Sequence, residues 1–266
     1  MTQNLRIVSW NINSVRLRLA TIERFLHDHS PDILCLQETK TMDEFFPREA
    51  IAAMGYPHQI FRGIKSYNGV AILSRLPLEE GESRHWYGRE DARHVAARLM
   101  GVEIHNFYIP AGGDVADEES NPKFAHKLGF IREASDWFSD HRSRQDRMIL
   151  VGDLNIAPME NDVWSHKYMS KIVSHTPIEI EHLARLQASV DFCDTMRHFV
   201  PATQKLYSWW SYRAKDWAEA NRGLRLDHIW VTPPLVAGLQ RGEIVAAMRG
   251  WESPSDHVPV VVDLKI

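Results

Sequence analysis

A chain of 266 residues is long enough to close one large α/β core and short for two, so a single domain spanning residues 1–266 is expected. With 44% hydrophobic and 25% charged residues, and no Gly/Ser, Pro or single-sign tract of linker length, a disordered or fibrous chain is excluded. The net charge of -4 counts against a uniformly basic nucleic-acid binder, so any phosphate-binding face must be local. Leu5 leads straight into strand-like sequence without the basic segment, apolar core and cleavage site of a secretory leader. Apolar runs such as Val258–Val262 fall far short of the ~20 residues a membrane helix needs, and the expectation is a cytoplasmic protein away from membranes. Cys35 in ILCL and Cys193 in DFCDT lack CxxC spacing and read as buried thiols of a reducing compartment. Arg62 with Lys65, Lys123 with Lys127 and Arg132, and Arg213 with Lys215, Arg222 and Arg225 fall in or beside expected loops; solvated surface is the plainer reading of each group.

Leu5–Trp10 alternates as a strand, and Asn11, Asn13 and Ser14 supply a polar turn and a helix cap. Val15, Leu19, Ile22 and Leu26 recur at helical spacing, which predicts an amphipathic helix ending near Ser30-Pro31. Ile33–Leu36 is a second apolar strand closing on Gln37, Glu38, Thr39 and Lys40. Strand, polar tip, helix, strand and polar tip put Asn11 and Glu38 at the same edge of one sheet, although Glu38 equally reads as the cap of a following helix. Tyr56–Phe61 and Gly69–Ser74 are further strands around a turn at Lys65–Asn68, and Val95–Leu99 with Val102–Tyr108 forms a hairpin turned near Gly101. Tyr108 ends its strand ahead of a Gly/Pro loop, where a phenol serves either the core or a site. Asn121-Pro122 starts a helix whose Phe124, Leu128, Ile131, Ala134 and Phe138 share one face.

Met148–Val151 is apolar and partly β-branched, a buried central strand followed by Gly152 and a turn closed by Pro158. Asp153 and Asn155 stand one residue apart in that turn, so an extended backbone aims both the same way; an Asx turn is the plain alternative. Farther on, Glu179–Val190 favours helix, the aromatic run Tyr207–Arg213 reads on composition as core, Leu224–Val231 is a strand carrying Asp227, and Val258–Leu264 closes the chain. Asp256 and His257 adjoin just before it. Neighbours across one peptide plane bond each other poorly, which leaves Asp227 as the candidate partner orienting His257.

The chain thus offers polar strand tips at Asn11, Glu38, Tyr108, Asp153 with Asn155, and Asp256 with His257. Carboxylates and carboxamides dominate, without a His/Cys cluster, and that donor set suits a hard cation such as Mg2+ or Mn2+. A GxSxG elbow and a P-loop are both missing, so phosphate-ester hydrolysis fits better than acyl transfer or NTP hydrolysis.

SWNIN at Ser9–Asn13, LQETK at Leu36–Lys40, YIP at Tyr108–Pro110, GDLNIAP at Gly152–Pro158, NRGLRLD at Asn221–Asp227 and PSDHVPV at Pro254–Val260 form an ordered set. It resembles that of the exonuclease III class of apurinic/apyrimidinic (AP) endonucleases, within the endonuclease/exonuclease/phosphatase superfamily. LQETK and the Trp-rich YSWWSYR point to this class in particular. The resemblance implies a four-layered α/β sandwich, two packed mixed β-sheets flanked by helices, with the site at the loop end between the sheets. It implies a Mg2+-dependent nuclease, with Mn2+ able to substitute, that cuts double-stranded DNA on the 5′ side of abasic sites and leaves a 3′-hydroxyl. Exonuclease activity from 3′ ends and repair of damaged 3′ ends accompany this, in a monomeric enzyme associated with the nucleoid through DNA.

By the same resemblance, Glu38 is the principal metal ligand, with Asn11 and Asp256 close by. Asp153 activates the attacking water, Asn155 orients it, and His257, held by Asp227, stabilises the developing phosphorane charge. Tyr108 bonds the phosphate or protonates the leaving oxygen. Asp153, Asn155 and His257 also match a second metal position. Trp209, Trp210 and Leu226 match the walls of a pocket for the extruded baseless sugar, with Arg213 and Lys65 as further substrate-binding residues. Ser14 stands where the class usually has Gly, Ala111 where an amide is common after YxP, and Ser211 where Asp often follows the aromatic pair. Competing readings are a general nuclease or small-molecule phosphatase of the same superfamily, which usually carry a second His where this chain has Tyr108, and a catalytically silent DNA-binding module, against which the complete acidic and His set speaks.

Overall fold

The computed structural model of the chain describes residues 3–266. Its strands, in chain order, are β1 (Asn4–Asn11), β2 (Ile33–Gln37), β3 (His58–Arg62), β4 (Val70–Ser74), β5 (Glu79–Glu80), β6 (His94–Leu99), β7 (Val102–Tyr108), β8 (Met148–Asp153), β9 (Cys193–Asp194), β10 (Trp209–Trp210), β11 (Gly223–Leu224), β12 (Asp227–Val231), β13 (Leu239–Ile244) and β14 (Val260–Lys265). The longest helices are α1 (Leu19–His29), α2 (Pro122–His141) and α3 (Pro177–Ala188).

One six-stranded sheet runs β13-β14-β1-β2-β4-β3 and a second runs β5-β6-β7-β8-β12-β9. The strands alternate between two apolar faces, and that alternation builds the layers. Ile7, Ile33, Cys35 and Ile72 of the first sheet meet Val95, Ile104, Ile149, Val151 and Ile229 of the second in the central core. The opposite face of β1 and β2, with Val8, Trp10, Leu34 and Leu36, packs on Ile22, Phe25 and Leu26 of α1. Phe107, Leu150 and Trp230 on the outer face of the second sheet pack on Phe130, Ile131 and Phe138 of α2 and on Leu183 and Leu186 of α3. The expected four-layered sandwich is therefore what the chain forms, and no helix among the described residues is long and apolar enough to cross a membrane.

Several local expectations need correction. The first helix begins at Leu19, not at Val15, because Asn13 and Ser14 adopt φ of 47° and 88°, outside the helical region, and Arg18 sits at the N-cap. The segment 224–231 is not one strand. Leu224 belongs to a small ribbon, β10-β11, and the chain changes sheets across Arg225 and Leu226 before β12 begins at Asp227. Strand β13 escaped the pattern altogether, since LQRGEI carries no apolar alternation and pairs at the sheet edge. Lys127 and Arg225, read as solvated surface, are fully buried. Both are neutralised by carboxylates from distant segments: Lys127 by Glu179, and Arg225 by Asp162 and Asp194.

Candidate active site

The site arises where the inward-facing rows of the two sheets change from apolar to polar. On β1 the row runs Leu5, Ile7, Ser9, Asn11; on β7, Ile104, Asn106, Tyr108; on β8, Ile149, Val151, Asp153. Parallel pairing of β1 with β2 and of β7 with β8 brings their carboxyl ends to one edge, with Tyr108 opposite Asp153. β12 pairs antiparallel to β8 and enters at that edge, setting Asp227 opposite Asp153. One polar layer deeper, Gln37 donates to the Asn106 carboxamide at 2.7 Å and closes the floor.

His257 approaches from the loop before β14. Its Nδ1 lies 2.8 Å from Asp227 Oδ2 and its Nε2 3.7 Å from Asp153 Oδ2. Ser208 Oγ donates to the same Asp227 oxygen at 2.6 Å, leaving Asp227 Oδ1 buried without a partner. Ser255 fixes the loop, donating to Asn11 O at 2.7 Å and accepting from His257 N at 3.2 Å. Burial alone lowers the affinity of His257 for a proton, but the charges of Asp227 and Asp153 outweigh it and hold the imidazole at about 10. Burial pushes Asp153 up to about 7 against the pull of His257, with the Asp227 charge adding to the rise.

Asn11 joins this pair to the acidic flank: its Nδ2 donates to Asp153 Oδ2 at 2.9 Å and to Glu38 Oε1 at 3.0 Å. Tyr108 OH donates to Glu38 Oε1 at 2.8 Å, and Lys40 Nζ sits 2.6 Å from Glu38 Oε2. Burial raises the Glu38 carboxyl, but the Lys40 charge and the Asn11 bond bring it below its ordinary value, while burial and Glu38 drive the Tyr108 phenol well above its own. Of the two readings of Glu38, strand tip and helix cap, the side chain follows the first. Asp256 faces the cleft with its oxygens accepting from Asn13 Nδ2 and Trp209 Nε1, both at 3.0 Å.

Asp153 and Asn155 do not share an extended backbone. Asn155 has φ of 54°, its N–H donates to Asp153 Oδ1 at 3.0 Å, and its carboxamide donates to Ile109 O at 2.9 Å. The Asx turn and the site reading hold together: the turn is what brings both side chains to the cleft.

That cleft, of about 660 Å³, is lined by Glu38, Tyr108, Asp153, Asn155, Asp256 and His257 on its polar side. Trp164, Trp209, Leu224 and Leu226 add apolar surface to the lining, with the exposed Arg213 and Arg222. Trp210 is not among these residues. Successive residues of β10 point to opposite faces, so Trp210 turns inward to Tyr207 and Trp217 while Trp209 faces the cleft. Lys65 is also elsewhere, lining a separate hollow with Arg16 and Lys40. Sequence reasoning missed Ser208, Lys40, Leu224, Trp164 and Arg222. Ser208, Lys40, Arg222 and Leu224 carried a signal, by lying inside the aromatic, LQETK and NRGLRLD motifs, and Trp164 carried none.

The ligand atoms of Asp153, Asp227 and His257 lie within 4.8 Å of one another, and Glu38, Asn11 and Asp256 extend the set with further oxygens. A cationic His cannot ligate through Nε2, so the oxygens are the donors available to a hard divalent ion, and the unpartnered Asp227 Oδ1 marks unspent acceptor capacity at that point. The residues fit such an ion. An acid–base pair beside an oxygen-rich flank, in a cleft that two arginines help to line, defines the class as a metal-assisted phosphoester hydrolase.

Comparison with known proteins is consistent with that class. The model of the endonuclease/exonuclease/phosphatase family matches residues 8–257. Over 98% of this chain and 100% of the relative, the sequence is 30% identical to exodeoxyribonuclease III of Haemophilus influenzae. An AP endonuclease structure from Archaeoglobus fulgidus superposes with a TM-score of 0.88 at 30% identity, covering 97% of this chain and 98% of the other. The 3′-5′ exonuclease NExo of Neisseria meningitidis gives 0.88 at 32% identity, with 98% and 99% covered. A structure described as the 3′ phosphatase NExo bound to product DNA hairpin gives 0.87 at 30% identity, again covering 98% and 99%. The chain belongs to the endonuclease/exonuclease/phosphatase family, and its full-length likeness to exodeoxyribonuclease III makes it one of the family's nucleases.

Proposed function

We propose that this nuclease hydrolyses the phosphodiester on the 5′ side of abasic sites in double-stranded DNA, requires Mg2+, and also clears damaged 3′ ends. The observation that carries this reading is the apolar surface of Trp209, Leu224 and Leu226 lining the same cleft as Asp153 and His257. A surface of that kind favours a sugar without a base, whose extrusion from the stack is also cheapest, and leaves the scissile phosphate on the polar side.

Asp153, with a proton affinity near neutrality, takes the proton of the attacking water, a contribution of ~100- to 10,000-fold. Asn155, pinned by its bonds to Asp153 and Ile109, orients that water. His257 stays cationic on Asp227 and donates from Nε2 to a nonbridging phosphoryl oxygen as negative charge grows there. The P–O3′ bond breaks, and Tyr108, which remains protonated, supplies the proton for the leaving O3′. Glu38 would be the principal ligand for a divalent ion, with Asn11 and Asp256 beside it, and Asp153 and Asn155 would offer oxygens at a second metal position from which a cationic His257 is excluded; the ion would supply charge neutralisation at the phosphate. Of the three departures from the usual motif pattern, Ala111 and Ser211 line the cleft and Ser14 does not. Ala111 lines the cleft without an amide to offer a phosphate, so the balance between endonuclease and exonuclease activity turns on the other phosphate contacts.

The test is a labelled duplex carrying one abasic-site analogue, compared with the same duplex undamaged, in Mg2+ and in EDTA. Mg2+-dependent incision 5′ of the analogue is the expected result. Trimming or dephosphorylation of 3′ ends without incision would remove the abasic site as substrate and keep the hydrolytic centre.

A further inference from the structure

Lys127 projects from α2 into the protein behind the catalytic turn and has no access to solvent. Its ammonium spends its donors on three acceptors: Glu179 Oε1 at 2.5 Å, the backbone carbonyl of Asn155 at 2.8 Å and that of Ala111 at 3.3 Å. Glu179, at the start of α3 and also fully buried, accepts from Ser174 N at 2.9 Å, from Thr176 N at 3.1 Å and from Thr176 Oγ1 at 2.6 Å. One ion pair therefore ties together three segments that line the cleft: the Tyr108–Gly113 loop, the Asp153–Asn155 turn and the Ile172–Ser174 loop.

A pair this deep is a poor device for stability alone, because desolvating both charges consumes most of what their attraction returns. Its neighbours Phe124, Leu128 and Val173 are apolar, so an apolar pair of similar size would suit the surroundings. What an apolar pair cannot do is donate to two backbone carbonyls. Asn155 holds a left-handed backbone, φ of 54°, at the point where its carboxamide must face the attacking water. A charged donor on its carbonyl fixes the peptide plane that follows, and with it the position of the carboxamide.

We propose that Lys127, anchored by Glu179, is a positioning residue for the hydrolytic step: it holds the Asn155 turn in register with the loop that carries Tyr108. It touches neither substrate nor metal. This rests on the proposed role of Asn155, and the test separates the two. Lys127→Met leaves Glu179 buried and unpaired, and serves only as a stability control. The deciding variant is the neutral double substitution Lys127→Met with Glu179→Gln, alongside Lys127→Arg as the conservative replacement. In a double variant with cooperative thermal unfolding, kcat on the duplex the parent cleaves is expected to fall ~10- to 100-fold with KM changed less than about threefold, and Lys127→Arg to recover part of the loss. A folded double variant with parental kcat overturns the proposal. A crystal structure of the double variant decides it even if the parent prefers another phosphoester. A shift of the Asn155 carboxamide by more than about 0.5 Å supports the positioning role, and an unmoved turn overturns it.

Discussion

Two buried charged clusters lie at either end of a three-residue stretch, Arg225 and Asp227, and they are built to opposite ends. Around Arg225 the pairing is closed. Its Nε and Nη2 donate to the two oxygens of Asp162, both at 2.8 Å, its Nη1 donates to Asp194 at 2.7 Å, and Arg197 adds a second guanidinium on Asp162. Burial raises both aspartates, but the Arg225 charge outweighs it and holds them below the ordinary carboxylate range. Around Asp227 the pairing is open. Asp153, Asp227 and Asp256 surround one cation, His257: burial, with the Asp227 charge, pushes Asp153 up to about 7, the Asp227 and Asp153 charges outweigh burial and hold His257 at about 10, and one oxygen of Asp227 has no partner. The first cluster resembles a fastener, with like numbers of opposite charges. The second has surplus negative charge, which is the electrostatic demand of a divalent cation and a phosphate chemistry.

Breaking each cluster therefore has different consequences. Asp153→Asn is expected to lower single-turnover incision by roughly 100- to 10,000-fold, since it removes the proton acceptor, while DNA affinity by fluorescence anisotropy stays near the parent. Near-parental turnover would take Asp153 out of that role. Arg225→Met is expected to cost about 3–5 kcal/mol of stability in urea titrations, because it takes the guanidinium from buried Asp194 and leaves Asp162 to Arg197 alone, yet to leave turnover per folded molecule largely intact. If instead it abolished turnover in folded protein, the two clusters would be one unit.

Acid sharpens the contrast. Asp162 and Asp194 have depressed proton affinities in the fold, so their stabilisation is present above about pH 4, the unfolded value, and is lost as the pH falls below it. The urea midpoint should therefore drop between about pH 4 and pH 3, and Asp194→Asn, which keeps the N-cap of the Thr195–Phe199 helix, should flatten that slope. An unchanged slope would place the acid-labile group elsewhere. The smallest effect separates the adjacent tryptophans. Trp209→Ala should weaken discrimination for the abasic duplex by ~1.5–3 kcal/mol, about the worth of one large apolar contact, whereas Trp210→Phe should alter thermal stability alone. Equal effects on discrimination would restore Trp210 to the cleft.

Much of this protein was open to reading along the chain. Hydrophobic alternation located the rows ending at Asn11, Tyr108 and Asp153, and the ordered motifs named nearly every polar residue of the site, because strand tips are local features with a period of two. The Asp227–His257 pair followed from the poor geometry of a bond between neighbours. What only the folded chain decided is which way each residue faces and what neutralises it. Trp209 and Trp210 are indistinguishable in composition, and the pleat of one short strand sends them to opposite sides. Lys127 and Arg225 looked like surface because a charge is buried only with a counter-charge, and theirs come from 52 and 63 residues away in the chain. Lys65 stands apart from the cleft, because the turn that carries it lines a different hollow. Local pattern determined the elements and the chemistry they carry, and long-range packing decided facing, burial and pairing, since those depend on contacts whose partners are set by the whole fold.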